Sequence, residues 1–480
     1  MKKLMALTGL TFLFCSTGAF SMTCNLARPY EAGNLTRTIP VFSRVRPDLL
    51  FEKGDTIEIF AFPKSRPLRC SWSLSHNMVE QPLTSRAGEI CLDQSVRFVI
   101  PEEILSPGFY DLRFTIWSTA TDKEEGKTTF GYEVERMTVV DSRPEDFAHF
   151  WSKAREEVSH TQLDAEEKFV REMEDAEISL YNRQQASLPE IPDPEGRRYK
   201  KIKVYRVSFS APGDRRLYGW LTVPVGEGPF PAMLVLPGAG NGKLPIPAEH
   251  ARHGFVSLML QIHGEDVDQE NYSSPPGYLA YLRSGFPRSS KDDYYYNVIL
   301  GCLQAVRYLV SRKDVDPDKV AVVGGSQGGY LAVATAAFSP GVKAVVSALC
   351  FYAYFPYRDL VAHLNQVKDA GPRELIPPFD GKNPRQRHQG YFDAANLANF
   401  VQVPTLMLGC LADTPSPATT VYAVYRNLKG EKKLLLSVGT NHDLVLAFEQ
   451  FAWRWLENLF QLEKKEAFTV LERIKKGEEP

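Results

Sequence analysis

Nothing constrains this chain more than the stretch Val320-Ala321-Val322-Val323-Gly324-Gly325-Ser326-Gln327-Gly328-Gly329, an apolar β-branched run that stops in glycines around one serine. A short apolar run without alternation fits a strand buried on both faces, as in a parallel sheet. Asp316-Pro317 punctuates the chain before it, and Tyr330 to Phe338 continues as an Ala-rich helical pattern. Gly324-Gly325-Ser326-Gln327-Gly328 therefore fits G-x-S-x-G, a sharp strand-to-helix turn that presents a strained serine hydroxyl above the sheet edge. A Cβ at Gly324 or Gly328 would collide with such a turn, and the amide of Gln327 at the helix start can face a developing oxyanion. The bland alternative is a Gly-rich turn with an ordinary serine.

The surroundings agree with a mostly parallel sheet. Apolar runs at 202–208, 217–223, 232–236, 256–261, 320–324, 344–348, 405–410 and 433–437 read as strands, with helical patterns at 294–312, 418–428 and 444–460 between or after them. Such alternation implies a sheet covered on both faces, with ligands beyond the carboxyl ends of its strands, where Ser326 would stand.

A serine hydroxyl is a poor nucleophile until a base takes its proton, and the base needs an acceptor that fixes its tautomer. In the α/β-hydrolase order, nucleophile, acid and base follow one another along the chain. After Ser326 the histidines are His363, His388 and His442. His442 lies in Gly439-Thr440-Asn441-His442-Asp443, after the last expected strand and before the last long helix, where this fold delivers its base. Asp413 follows the strand 405–410 in a strand-end loop and is the expected acid; Asp393 and Asp380 are less well placed. The competing role for Asp413 is to cap the helix after Pro415.

Before this region, 22–140 has the texture of short strands and turns, at 56–61, 68–74, 96–100, 110–117 and 128–139, which suggests an immunoglobulin-like β-sandwich. Trp72, Tyr110, Phe114 and Trp117 are expected to fill its core rather than form a sugar platform. At Asp141 the hydrophobic period changes to that of a helix. Ser142 with Glu145 offers a capping box, and Phe147, Phe150, Trp151 and Ala154 share one face. The charged stretch 160–198 reads as a helix followed by an exposed connection. The period change at 141 predicts an independent core, so a chain beginning there is expected to keep activity on a small soluble ester.

Residues 1–21 combine Lys2-Lys3, an apolar run from Leu4 to Phe14 and Ala19-Phe20-Ser21, the pattern of a signal peptide with its cleavage site. The expected address is outside the cytoplasm, periplasmic or secreted. Lipid anchoring through Cys15 is the rival, though Phe14 fits a lipid-attachment site poorly. Later apolar runs fall short of the roughly 18 residues of a membrane span. Of the remaining cysteines, Cys70 and Cys91 are the expected bridge partners, and Cys302, Cys350 and Cys410 read as buried thiols. No C-x-x-C or histidine cluster suggests a metal, and no cofactor is implied. With 56 Lys and Arg against 58 Asp and Glu, no global field favours nucleic acid. The expected division is 22–140 sandwich, 141–463 catalytic and 464–480 polar tail.

Several motifs together resemble the acetyl xylan esterase and cephalosporin-C deacetylase family. They are Asp292-Asp293-Tyr294-Tyr295-Tyr296, Val315-Asp316-Pro317-Asp318-Lys319 leading into Gly324-Gly325-Ser326-Gln327-Gly328-Gly329, Tyr391-Phe392-Asp393, Val403-Pro404-Thr405-Leu406-Met407 and the spacing of Asp413 to Pro417. Pro144-Glu145-Asp146-Phe147 with Phe150-Trp151 is similar to the family's opening helix. The resemblance covers roughly 142–462 and none of the sandwich. It implies an α/β-hydrolase, preceded here by an all-β sandwich, that removes small acyl groups from sugars without a metal through Ser326, His442 and Asp413. The amides of Gln327 and Ala239 would form the oxyanion hole, and the resemblance also suggests subunit association into a homo-oligomer. Three places depart from the family: His263-Gly264-Glu265 replaces Arg-Gly-Gln, Gly238-Ala239 replaces Gly-Tyr, and His442-Asp443 replaces His-Glu. His263 is expected to be structural rather than to touch substrate. A methyl at Ala239 in place of a ring predicts room for propionyl or butyryl groups, unless Tyr272, Tyr278 or Tyr281 fills the gap. The alternatives are a prolyl-oligopeptidase-like peptidase, against which the absence of blade repeats speaks, and an inactive carbohydrate-binding protein.

Overall fold

The computed structural model describes residues 22–23, 39–184, 199–273, 275, 278, 293–367 and 382–462. The expected leader 1–21, Cys24, Tyr281, Asp380 and the tail 464–480 lie outside them.

Among the described residues ten strands form one sheet, in the spatial order Met22–Thr23, Lys432–Ser437, Thr405–Cys410, Ala344–Ala348, Val315–Gly325, Phe230–Leu236, Val256–Gln261, Arg215–Pro224, Lys201–Ala211 and Glu166–Glu174. Neighbours are parallel from Met22–Thr23 as far as Val256–Gln261, and the last three strands pair antiparallel. Burial explains the apolar runs. In the strand Val315–Gly325, Val320 and Val322 join the apolar cluster on one face, and Ala321 and Val323 pack against the cluster on the other. Helices Phe147–His160, Tyr294–Ser311, Gln327–Phe338 and Ala418–Asn427 cover the first face; Asp175–Gln184, Ala248–Arg252 and Leu446–Leu459 cover the second. This is an α/β-hydrolase sheet, with helices on both faces. Phe230–Leu236 lies between Val256–Gln261 and Val315–Gly325, so the strand order reverses there and opens a crevice beyond the carboxyl ends.

In front of it stands a β-sandwich of a five-stranded and a four-stranded sheet. Trp72, Tyr110 and Phe114 are buried in its core, while half-buried Trp117 lies under the Arg69 guanidinium at 4.2 Å. Tyr110 donates its hydroxyl to the Ser106 carbonyl at 2.7 Å and accepts from the Ser106 amide, a tyrosine corner like that of immunoglobulin-type sandwiches.

Four expectations are corrected. Residues 166–174, expected as helix, are an edge strand; nearly every side chain on it is solvent-exposed, so no apolar alternation betrays it. Ser142 does not cap the helix Phe147–His160, whose cap position is Asp146. Ser142 is buried instead, accepting from Asn396 Nδ2 at 3.0 Å. Cys70 and Cys91 are both free thiols, because Cys70 points into the sandwich core, with its Sγ where a Cβ on Gly88 would sit. The cores are not independent either. The apolar cluster under the Tyr294–Ser311 and Gln327–Phe338 helices also takes in Phe109, Leu112 and Met137 of the sandwich, and Phe109 meets the Tyr422 ring at 5.6 Å.

Candidate active site

The strand Val315–Gly325 ends in the turn expected of it. Ser326 has φ 56° and ψ −117°, a strained conformation for a residue with a side chain. The turn closes tightly: a Cβ on Gly324 would stand 2.5 Å from the Gly328 backbone, and one on Gly328 would stand 2.2 Å from the Leu236 carbonyl oxygen. The serine backbone is fixed on both sides, its amide donating to Ala348 O at 2.8 Å and its carbonyl accepting from Tyr330 at 3.1 Å and Phe351 at 3.2 Å.

Two further strand-end loops meet this serine. His442, after the strand Lys432–Ser437, has Nε2 at 2.8 Å from Ser326 Oγ. Its Nδ1 lies 2.8 Å from Oδ2 of Asp413, after the strand Thr405–Cys410. The other oxygen of Asp413 accepts the Ser416 amide at 2.7 Å, and Asp413 is buried while the His442 side chain keeps 24 % of its surface. A carboxylate can only accept, so Nδ1 carries the hydrogen and Nε2 is left to accept from the serine hydroxyl. The other candidates are elsewhere. Asp393, buried, takes the amides of Tyr354, Phe355 and Ala395, and burial pushes its pKa up to about 6. His388 pairs with Asp293 at 2.8 Å, and His363 sits on the helix Phe355–Val367.

The loop 238–241, after the strand Phe230–Leu236, runs beside the turn; a Cβ on Gly238 would lie 3.9 Å from Gly325 O. Gln327 begins the helix, so its amide has no acceptor within that helix. Its side chain ties the loop down, with Nε2 donating to Gly238 O at 3.1 Å and Oε1 accepting from Tyr295 at 2.7 Å. His263 holds Gly240, two residues on from Gly238, through Nε2 and Gly240 O at 2.9 Å, while its Nδ1 meets the Tyr294 hydroxyl. Since Gly240 O can only accept, Nε2 carries the hydrogen. Burial holds the His263 pKa below the usual value, against the contact with Gly240 O, which favours the charged ring. Tyr278 accepts the Gly240 amide at 2.9 Å, and Glu265 takes Asn241 Nδ2 at 2.6 Å. His263-Gly264-Glu265 is thus a brace on the 238–241 loop. Ala239 is exposed between these anchors. The bracing contacts of Tyr278, Tyr295 and the Gln327 side chain could not be read from the sequence, because their partners are 38, 32 and 89 residues away along the chain. Leu444, half exposed, forms an apolar lip 3.6 Å from where a Gly325 Cβ would be.

Among the described residues no group of three or more His, Cys, Asp or Glu could hold a metal, and no helix is long and apolar enough to cross a membrane. The sheet, the turn and the Ser-His-Asp chain define a serine-hydrolase-like α/β-hydrolase. Residues 177–459 match the family model of acetyl xylan esterase (AXE1), and the chain belongs to that family. Acetyl esterase Axe7A of Xylanibacter ruminicola is 26% identical over 449 residues, which span 88% of this chain and 90% of that relative, so the similarity reaches into the sandwich. Among solved structures, an acetyl xylan esterase from Paenibacillus sp. R4 matches with TM-score 0.51 and 25% identity over 67% of this chain and 96% of its own. Acetyl xylan esterase 1 from Thermoanaerobacterium shares the fold, with TM-score 0.54 and 22% identity over 68% of this chain and 98% of that one.

Proposed function

We propose that this protein is a serine esterase that deacetylates acetylated sugars or polysaccharides such as xylan through an acyl-enzyme. The observation that carries the reading is the unbroken line from Ser326 Oγ through His442 to Asp413, with 2.8 Å at each step. His442 Nε2 takes the serine proton as Oγ attacks the ester carbonyl. The amides of Gln327 and Ala239 receive the oxyanion, and the imidazolium, held by Asp413, returns the proton to the leaving sugar alkoxide. Water repeats the path on the acyl-enzyme and releases acetate. Removing one oxyanion donor typically costs about 100 to 1,000-fold in turnover, which gives the braces on the 238–241 loop their importance. Export through the 1–21 leader, to the periplasm or beyond, would place such an enzyme where acetylated polysaccharide is met.

The test is hydrolysis by the purified protein of p-nitrophenyl acetate, acetylated xylan and aminoacyl anilides. Acetate release from the first two is expected, with Ser326→Ala silent on both. Cleavage of the anilides alone would favour the prolyl-oligopeptidase-like reading, and no turnover of any substrate would favour an inactive carbohydrate-binding protein.

A further inference from the structure

The helix Ala418–Asn427 begins just after the Asp413 loop, and its cap position is Pro417, which makes no side-chain capping bond. An acceptor arrives from the sandwich. Asn77 Oδ1 lies 3.4 Å from the amide nitrogen of Thr419 and 3.1 Å from its hydroxyl. Thr419 is the second helical residue, one of the two whose amide a capping oxygen ordinarily accepts. The amide group of Asn77 is oriented by the partner behind it. Its Nδ2 donates to Asp111 Oδ1 at 2.9 Å, and Asp111, wholly buried, is itself fixed by the Met78 amide, the Thr129 hydroxyl and Lys127 Nζ. The Asn77 backbone also joins both bodies, its amide donating to Phe109 O and its carbonyl accepting from the Tyr357 hydroxyl.

Between this cap and the carboxylate there is little slack. Ser416 donates its amide to Asp413 and its hydroxyl to Leu349 O at 2.8 Å, and Pro415 O accepts from Arg358 at 2.9 Å. A shift in the first turn of the helix therefore strains the bonds that hold Asp413. We infer that the sandwich completes the active site, with Asn77 as a positioning residue that caps the helix after the acid loop and keeps Asp413 in line with His442. The inference rests on the proposed roles of Asp413 and His442. It also reverses the expectation that a chain beginning near Asp141 is sufficient for activity.

The experiment uses the full chain and p-nitrophenyl acetate. In Asn77→Ala, kcat is expected to fall about tenfold with KM within about twofold, because a small misplacement of the acid affects the transition state more than binding. Thr419→Val, which removes only the hydroxyl bond, is expected to lower kcat about threefold, and Thr419→Ser to restore it. Asn365→Ala is the control. Asn365 holds the same sandwich loop through Glu80 N and Met78 O, but from the helix Phe355–Val367 and without a bond to the acid loop. It should lower the melting temperature and leave kcat unchanged. Reduced melting temperatures with unchanged kcat in Asn77→Ala and Thr419→Val would overturn the inference, as would an equal loss of kcat in Asn365→Ala. Should Asn77→Ala fail to fold, the Thr419→Val and Thr419→Ser pair decides. Ser326→Ala separates the two ideas: if it stays active, the proposed function fails, whereas if it is inactive while Asn77→Ala keeps full kcat, only the positioning role fails.

Discussion

Replacing Asp413 by Asn removes one charge and should disable the site by moving one hydrogen. Asp413 uses both oxygens, Oδ1 for the Ser416 amide at 2.7 Å and Oδ2 for His442 Nδ1 at 2.8 Å. An asparagine must keep its carbonyl oxygen towards Ser416, since a backbone N–H only donates. The opposite flip would set two buried donors face to face and leave the Ser416 amide unpaired, at about 1 to 3 kcal/mol. The NH2 group of the variant therefore faces Nδ1, which must accept. The ring hydrogen then sits on Nε2, pointing at Ser326, and the imidazole cannot take the serine proton. The expected fall in kcat is about 10,000-fold, or about 5.4 kcal/mol in the activation barrier, with KM changed little. Steady-state hydrolysis of p-nitrophenyl acetate, with thermal unfolding as a control, measures it. A fall of less than about tenfold in a folded variant would refute the tautomer argument and return Asp413 to the role of a loop carboxylate.

Ser326→Ala and His442→Ala should each abolish hydrolysis of p-nitrophenyl acetate, the double variant being no worse than either, with melting temperatures close to that of the parent; more than a tenth of activity left in His442→Ala would exclude it as the base. Ala239 predicts that propionyl and butyryl esters are hydrolysed nearly as well as acetyl ones, each buried methylene being worth about 0.8 kcal/mol. Tyr278, whose hydroxyl accepts the Gly240 amide one residue away, is a candidate to close that space; a steep fall after acetate in the parent with no further narrowing in Ala239→Tyr would show that a side chain other than residue 239 closes it. Burial alone pushes Glu449 up to about 7. Its carboxyl is therefore protonated in the fold at pH values where the unfolded chain has lost the proton, so its contribution to stability falls as pH rises from about 4.5 to 7. Glu449→Gln should raise the melting temperature most above pH 7 and lose that advantage below about 4.5; a pH-independent change would contradict the assignment.

Strong local patterns made the centre of this molecule readable before its structure. A strand buried on both faces leaves an apolar run, and the turn at Ser326 admits no Cβ at Gly324 or Gly328, so both features are written into consecutive residues. Asp413 and His442 could be singled out because each follows a readable strand, Thr405–Cys410 and Lys432–Ser437, and the structure brings both to Ser326. What was not readable depends on partners far away in sequence. The brace from His263 to Gly240 spans 23 residues and the contact of Asn77 with Thr419 spans 342, and neither leaves a spacing that could be recognised. The edge strand Glu166–Glu174 failed for another reason: with both faces in water, nothing selects alternating apolar residues, and its charges read as helix. The change of hydrophobic period near Asp141 marked a change of architecture. It carried no information about whether the two parts share a core, which they do through Phe109 and Tyr422.

Covalent trapping of the nucleophile tests the central claim most directly. The purified protein, treated with a p-nitrophenyl phosphonate in the absence of any ester substrate, should lose activity in proportion to the p-nitrophenol released, and peptide mass spectrometry should find one adduct per chain on Ser326. His442→Ala should label far more slowly, because no base takes the serine proton. Inactivation with the adduct on any other residue, or full ester hydrolysis by a chain in which Ser326 is replaced by alanine, would contradict the assignment of Ser326 as the nucleophile.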